Sequence, residues 1–253
     1  MNLTKYPKFI TIIFVLLFYL AMRLMVFGYY CPDCAFTSRD LLWIPTKMLT
    51  ENLDFYRLVI DGLYTSNSLY ESKNPNIPVY AILHYYIMYP LGLTSFEIAK
   101  EIWLIINCAI LVHIFLLVSV NAKVENKNYI LILFIFLCSK PLIYSIALGQ
   151  FSTICLYAFV CYFFMKNKVI KILTIIFAFT KLTFSPILGI YFLIKKENLI
   201  IALLITTHLL AVIFFSFQTQ GELFQNFIYQ FTIPKQYQTS GAIDFMTIIG
   251  NNP

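Results

Sequence analysis

The chain has 253 residues, of which 60% are hydrophobic and 12% are charged, and its net charge is +6. A soluble domain averages about 45–50% apolar and about 25% charged residues, so this composition excludes an ordinary soluble enzyme and a disordered protein. The 8 Gly, 10 Pro and 6 Cys also exclude collagen-like chains and disulfide scaffolds. Lysines cluster between apolar runs, a pattern typical of cytoplasmic loops rather than of nucleic-acid binding. We therefore predict an all-α polytopic membrane protein.

The first predicted span is the apolar run at residues 9–27, which follows Lys5 and Lys8. Its length is enough to cross a bilayer, and its C-terminal flank lacks a convincing small-residue cleavage site, so we interpret it as a retained helix. Residues 28–77 then form an extracytoplasmic loop that carries six of the twelve acidic residues. Within this loop we expect a short amphipathic helix at about Ser38–Asn52.

Other features of the loop have simpler interpretations. Asp54 and Asp61 are expected to be solvated. Cys31 and Cys34 fit either a structural disulfide or two unpaired thiols, because the strand and helix context of a redox motif is absent.

The path of the rest of the chain depends on where the lysine clusters lie. If all of them are cytoplasmic, residues 78–93 form a short, Tyr-rich interfacial helix and residues 102–120 form the inward span. The alternative, in which both runs cross, would place Lys123 and Lys127 outside. The helical bundle then covers residues 102–217, with further spans at 129–147, 151–165 and 198–217.

The C-terminal residues 218–253 are expected to form an extracytoplasmic tail. No closing cytoplasmic helix precedes Pro253, so a truncated chain is one interpretation of this end. The sequence shows no internal repeat and no low-complexity linker, and we expect a single integral membrane domain.

Residues 169–194 are too few for two full spans, although lysines assigned to the cytoplasm lie at both ends. We therefore predict a re-entrant pair of short helices that turns near Lys181–Pro186. Irregular backbone at membrane depth is tolerated where it is buried in protein or lines a wet cavity. This path places Lys140, Gln150 and Lys181 near the outer face. An uncompensated lysine at bilayer depth costs about 2.5–3.5 kcal/mol.

These rare polar groups suit chemistry on an anionic, lipid-linked substrate. Asp40 could act as a general base toward a hydroxyl, and Arg39 or Lys181 could bind a phosphate. Structural roles are the alternative: a surface acid for Asp40, a snorkelling lysine for Lys181 and a helix–helix contact for Gln150. Arg23 in the first span is expected either to snorkel or to pair with a neighbouring helix.

Several short motifs occur in a characteristic order. In chain order they are Arg39-Asp40, Asp54-Phe55-Tyr56, Asn74-Pro75-Asn76-Ile77-Pro78, Trp103 with Asn107, Leu148-Gly149-Gln150 and Lys181 with Pro186. Over residues 9–217 this order resembles the glycosyltransferase-C superfamily. It is most similar to family 87, the polyprenyl-phosphate-mannose-dependent mannosyltransferases. Residues past 218 carry no landmark of that family.

The resemblance implies a glycosyltransferase-C-like helical bundle with amphipathic helices in the first extracytoplasmic loop. It implies Asp40 as the catalytic residue, and Gln150 and Lys181 match family positions that line the substrate cavity. Together with Arg39 and Asn74, these two are the substrate-binding residues that we expect. The donor would be a polyprenyl-phosphate sugar, and the acceptor a lipid-linked glycan or glycolipid. The expected protein is thus a hexosyltransferase, most simply for mannose, in the plasma or inner membrane, with its active site on the extracytoplasmic side of the cell envelope.

Other functions stay open. A lipid or small-solute transporter also uses short half-helices, and an inactive or truncated membrane relative has the same overall pattern. The glycines form no nucleotide-binding loop and no His/Cys motif has zinc-ligand spacing, so we predict no cofactor. A divalent cation stays open as well, although a single loop acid makes a poor cation site.

Overall fold

The computed structural model describes residues 16–24, 43–63, 78–121, 139, 151–182 and 185–236. In these residues the regular secondary structure is helical and contains no strands, which confirms the predicted all-α class for the described part of the chain. The helices are α1 (residues 16–24), α2 (Trp43–Thr50), α3 (Phe55–Ile60), α4 (Ile82–Gly92), α5 (Phe96–Asn121), α6 (Ser152–Phe164), α7 (Lys168–Phe179), α8 (Ser185–Ile194), α9 (Asn198–Thr219) and α10 (Leu223–Gln236).

Two of the described helices are long and apolar enough to cross a membrane. They are Phe96–Val118 within α5, and α9. Both coincide with spans that the sequence predicts. The predicted crossing at 129–147 lies outside the described residues, apart from Ser139.

The chain divides into two compact units, each built from two stretches of sequence. Unit 1 comprises Met1–Leu41 and Glu97–Ile175, and unit 2 comprises Leu42–Phe96 and Ile176–Pro253. Each unit therefore depends on contacts between residues that are far apart in the sequence.

In unit 1, the C-terminal end of α1 meets the N-terminal end of α5. Arg23 Nε lies 3.0 Å from Glu101 Oε1, and the Tyr19 hydroxyl donates to Glu101 Oε2 at 2.6 Å. Arg23 was expected either to snorkel or to pair with a neighbouring helix, and the structure shows the pairing.

Helices α5 and α6 run in the same direction within unit 1. Trp103, near the start of α5, stacks on Phe151 at the start of α6, with ring centroids 6.2 Å apart and an interplanar angle of 10°. Further along both helices, His113 Nδ1 lies 2.6 Å from the Tyr157 hydroxyl. In the sequence, residues 122–150 connect the two helices.

In unit 2, helices α4, α8 and α10 pack on α9, while α2 packs on α4 and α10 contacts α3. The contact between α2 and α4 is very close at Gly92. A Cβ atom at this position would lie 2.8 Å from the carbonyl oxygen of Thr46 and 2.9 Å from its methyl group. The absence of a side chain at Gly92 therefore permits this packing.

A second close approach occurs where α9 ends. Gln220 adopts the left-handed conformation (φ 55°) and terminates the helix, as residues at helix C-termini often do. A Cβ on the next residue, Gly221, would lie 2.7 Å from both Asp54 Oδ2 and Asn226 Nδ2. Asn226 itself donates to the Ser216 hydroxyl at 3.0 Å. This turn therefore joins α9 and α10 to the start of α3.

Asp54 is thus not the solvated acid that we expected from the sequence. Its carboxylate accepts the Arg57 N–H at 3.0 Å and caps α3. Burial raises the pKa of Asp54, and this effect is larger than the opposing effect of the hydrogen bond from the Arg57 N–H. The expectation failed because contact with the distant residue Gly221 cannot be seen in the local sequence of the loop.

The predicted pair of short helices is present as α7 and α8. Asn167 Oδ1 accepts the Val169 N–H at 2.9 Å, which explains where α7 begins. The helix ends at Phe179, and α8 begins at Ser185 with Pro186 in its first turn, a favoured position for proline. The break therefore lies where the sequence predicts the turn, and the re-entrant placement in a bilayer stays a prediction.

The region after residue 218 is expected to be an extracytoplasmic tail, and that placement stays a prediction. It contains α10, which packs on α9. The helix was missed because its polar residues interrupt the apolar run. Several of these, including Asn226 and Gln230, are in fact buried by contacts within unit 2.

Candidate functional site

Of the five predicted site residues, Lys181 lies within the part of the chain that the structure describes. Asp40, Arg39, Asn74 and Gln150 lie outside the described residues. Their roles therefore stay predictions from the sequence, and the site is built here around Lys181.

Lys181 occupies the turn between α7 and α8 and lies over an aromatic ring. Its Nζ is 5.8 Å from the centroid of the Tyr80 ring, a cation–π distance. The same Tyr80 ring contacts His84, with centroids 4.5 Å apart. The ammonium group is thus held next to the start of α4, a segment about 100 residues earlier in the chain.

Two hydrogen bonds join the start of α4 to this turn. Ala81 N–H donates to the Thr180 carbonyl oxygen at 3.1 Å. The Thr180 hydroxyl donates to the Phe177 carbonyl oxygen at 2.8 Å, so its own oxygen can accept from His84 Nδ1 at 3.3 Å. Because Thr180 and His84 are fully buried, these bonds form in a low-dielectric environment and fix the turn that carries Lys181.

The start of α4 is also bonded to α10. Ile82 N–H donates to Gln230 Oε1 at 3.4 Å, across 148 positions of sequence. Gln230 is only 3% exposed. The first turn of α4 therefore lies between the Lys181 turn and α10, and it connects the two.

A cavity of about 540 Å³ opens next to this junction within unit 2. Its wall is mostly aliphatic and aromatic, with contributions from α8, α9, α10 and the turn after α7. The lining residues include Phe179, Leu182, Gly189, Leu204 and Phe227, together with Ala81 and Gln230 from the junction. Leu182 lines the cavity and directly follows Lys181 in the chain, although Lys181 is not itself one of the lining residues. This arrangement suits an amphiphile with an anionic head and a hydrocarbon tail.

The described residues contain no group of three His, Cys, Asp or Glu side chains that could hold a metal ion. The polar groups at the junction are instead a lysine, a threonine, a histidine and a glutamine, which are suited to binding anions and oxygens through hydrogen bonds.

The sequence analysis identified Lys181 but missed Tyr80, His84, Thr180 and Gln230. A signal for Gln230 was present, because it is a single amide within the run Phe-Ile-Tyr-Gln-Phe-Thr-Ile at 227–233. Nothing in the local sequence around Tyr80 or His84 indicates that they meet residues of the distant α7–α8 turn.

A family model described as glycosyltransferase family 87 matches residues 79–240, which is more than half of the chain. No curated protein and no solved structure matches the chain. The matched range includes Gln150, Lys181 and all of α10, and it begins after Arg39, Asp40 and Asn74. It therefore extends past residue 218, where the sequence analysis found no landmark.

Proposed function

The chain belongs to glycosyltransferase family 87 and is thus a glycosyltransferase, and from this premise we propose what it transfers. It moves a hexose, most simply mannose, from a polyprenyl-phosphate donor to a hydroxyl of a lipid-linked glycan or glycolipid. The reaction takes place on the extracytoplasmic side of the plasma or inner membrane, across which the protein passes several times.

The observation that carries this proposal is that Lys181 directly precedes Leu182, which lines the apolar cavity. A nucleotide-sugar donor would have no use for an apolar cavity of about 540 Å³ beside a cation. A lipid phosphate matches both features, because its chain is hydrocarbon and its head is an anion. A lysine is a common ligand for phosphate, and an apolar environment strengthens the attraction between the two charges.

The chemistry that we propose is a single displacement with inversion at the sugar. The Asp40 carboxylate takes the proton of the acceptor hydroxyl, whose oxygen then attacks the anomeric carbon. The bond between that carbon and the phosphate oxygen breaks, and its electron pair leaves with the polyprenyl phosphate. Arg39 and Lys181 stabilise the negative charge that develops on the leaving phosphate, while Asn74 and Gln150 orient the sugar or the carrier.

Two contacts in unit 1 support the path through the membrane. If residues 9–27 lead outward and residues 102–120 lead inward, the outer ends of these two spans lie on the same side. The pair of Arg23 with Glu101 joins those ends, at 3.0 Å. In the alternative path, Glu101 would lie at the opposite membrane face from Arg23. The parallel direction of α5 and α6 likewise supports a crossing at 129–147 between them.

The short helices α7 and α8 are also a feature of transporters, and family membership is the observation that favours sugar transfer over transport. An inactive relative would share the family and the fold, so activity has to be measured. The assay uses the purified full chain in lipid nanodiscs, with labelled polyprenyl-phosphate mannose and a crude pool of lipid-linked acceptors.

In this assay we expect Asp40→Asn to abolish transfer while binding of the donor is retained, because the amide cannot accept the proton. Lys181→Ala should raise the KM for the donor by about tenfold, the effect of losing roughly 1.4 kcal/mol of binding. Lys166→Ala, on an exposed lysine at the end of α6, is the matched control and should behave like the wild type. Transfer by Asp40→Asn at the wild-type rate would remove Asp40 from the mechanism.

A further inference from the structure

Gln230 is a buried amide on the wall of the cavity, and the proposed mechanism does not use it. It lies on α10, is 3% exposed and lines the cavity together with Ala81, Phe227 and Phe231. Burying a polar amide in an apolar wall costs free energy unless its hydrogen-bonding groups find partners. The free energy of burying Gln230 therefore depends on the partners of its amide oxygen and its amide nitrogen.

The oxygen of the Gln230 amide has a partner, and this hydrogen bond fixes the orientation of the amide. The Ile82 N–H can only donate, so the atom that faces it must be Oε1, at 3.4 Å. The NH₂ end then points away from α4. Among the residues that the structure describes, no protein acceptor takes the protons of Gln230 Nε2. A carboxamide nitrogen is a donor only, so a partner in the cavity has to be an acceptor oxygen.

The junction with α4 links Gln230 to Lys181 through a short series of hydrogen-bonded and covalently neighbouring groups. Gln230 bonds to Ile82, the neighbouring Ala81 bonds to Thr180, and Thr180 precedes Lys181. The amide and the ammonium group are therefore attached to opposite sides of one fixed junction. Between them they offer a neutral donor pair and a positive charge, which together match the several acceptor oxygens of a phosphate.

We propose that Gln230 binds a phosphate oxygen of the lipid substrate, with its NH₂ group as donor, while the hydrocarbon chain occupies the cavity. This rests on the proposed function, since it assumes the same lipid phosphate that Lys181 binds. It adds a further binding residue, on a helix that the sequence did not predict. It also gives a role to one of the three polar residues, Ser185, His208 and Gln230, that line a mostly apolar cavity.

The test measures binding of two probes that differ only in the head group, farnesyl phosphate and farnesol, to the purified full chain in detergent. The informative variant is Gln230→Glu. It keeps an oxygen for the Ile82 N–H, so the junction is preserved, but it replaces the NH₂ donor by an acceptor that repels phosphate. The matched control is Gln225→Glu, the same change on an exposed residue of α10 that does not line the cavity.

The wild type should bind farnesyl phosphate more tightly than farnesol. Gln230→Glu should weaken farnesyl phosphate binding by about tenfold or more, which is the expected effect of losing a hydrogen bond to a charged group. It should leave farnesol binding unchanged, and Gln225→Glu should match the wild type with both probes.

Unchanged affinity of Gln230→Glu for farnesyl phosphate would overturn the proposal. An equal loss for both probes would do the same, because it would show a general effect on the cavity. A second variant tests whether the hydrocarbon chain of the lipid occupies the cavity. A Cβ at Gly189 lies 3.6 Å from Phe179, in ordinary contact, so Gly189→Leu extends into the cavity. This variant should weaken the binding of farnesyl phosphate and of farnesol equally, and unchanged binding would overturn the proposal.

These outcomes are separable from the failure of the proposed function. If no sugar transfer is found but the head-group preference depends on Gln230, the chain binds a lipid phosphate and the inference stands. If transfer occurs and Gln230→Glu binds farnesyl phosphate normally, the inference alone fails.

Discussion

The same residue types are buried in both units, but they find protein partners to different degrees. Thr180 and Asn226 in unit 2 are at most 1% exposed, and their side chains donate to Phe177 and Ser216. Thr153 and Asn107 in unit 1 are equally buried. In the described residues, the Thr153 hydroxyl and the Asn107 carboxamide oxygen have no hydrogen-bond partner, and neither has the Trp103 indole nitrogen.

This difference concerns these side chains and not the units as a whole, because His208 Nε2 in unit 2 is also buried without a hydrogen-bond partner in the described residues. A buried polar group without a partner costs about 1–3 kcal/mol, whereas a satisfied one contributes modestly to stability. Unit 2 should therefore lose stability when its polar contacts or its close approaches are changed. In unit 1, the buried Thr153 hydroxyl should oppose folding, because it has no partner among the described residues.

The largest expected effect comes from the close approach of α2 and α4 in unit 2. Gly92→Ala places a Cβ 2.8 Å from the backbone oxygen of Thr46, which cannot rotate away as a side chain would. We expect a loss of about 1–3 kcal/mol, the usual cost of overpacking, measured as a lower Tm in detergent. Gly189→Ala is the control, because its Cβ would be in ordinary contact. A Tm equal to that of the wild type in Gly92→Ala would show that α2 and α4 can separate freely.

The same substitution at one buried threonine in each unit tests whether the hydrogen bonds of Thr180 stabilise the fold. Thr180→Val removes the donor to Phe177 and an acceptor for His84, and it should lower stability by about 1–2 kcal/mol. Thr153→Val has the same shape change but removes a hydroxyl that has no described partner, and it should be neutral or stabilising. Thermal unfolding of both variants gives the answer. An equal loss in the two would remove the contrast between the units and would indicate a bound water at Thr153.

The smallest expected effect concerns Asp54, which joins α3 to the turn at Gly221. Because burial raises its pKa, the folded state holds this proton more tightly than the unfolded state. Its favourable contribution is thus present below the unfolded pKa of about 3.9 and is lost as the pH rises through the higher folded pKa.

Asparagine caps helices as well as aspartate does, so Asp54→Asn should keep α3 intact. It should have a slightly higher Tm than the wild type at pH 7, and the difference should disappear at pH 4. A lower Tm for Asp54→Asn at pH 7 would mean that the ionised carboxylate makes a favourable contact that outweighs its burial.

The candidate site was only partly predictable. Lys181 could be identified because a lysine inside an apolar run is costly and therefore conspicuous. Gln230 was missed because an uncharged amide near the end of a chain is common on protein surfaces. The roles of Asp40, Arg39, Asn74 and Gln150 depend on the resemblance of the sequence to the family and stay predictions.

The sequence by itself determined the all-helical class, the two long apolar helices and the break between α7 and α8. These follow from local properties, namely the length of an apolar run, the spacing of lysines and the position of Pro186. Only the tertiary structure decided that Ile82 bonds to Gln230, that Lys181 lies over Tyr80 and that Asp54 is half-buried next to Gly221. Each of these contacts joins residues about 100 positions or more apart, and local periodicity carries no information about which distant helices pack together.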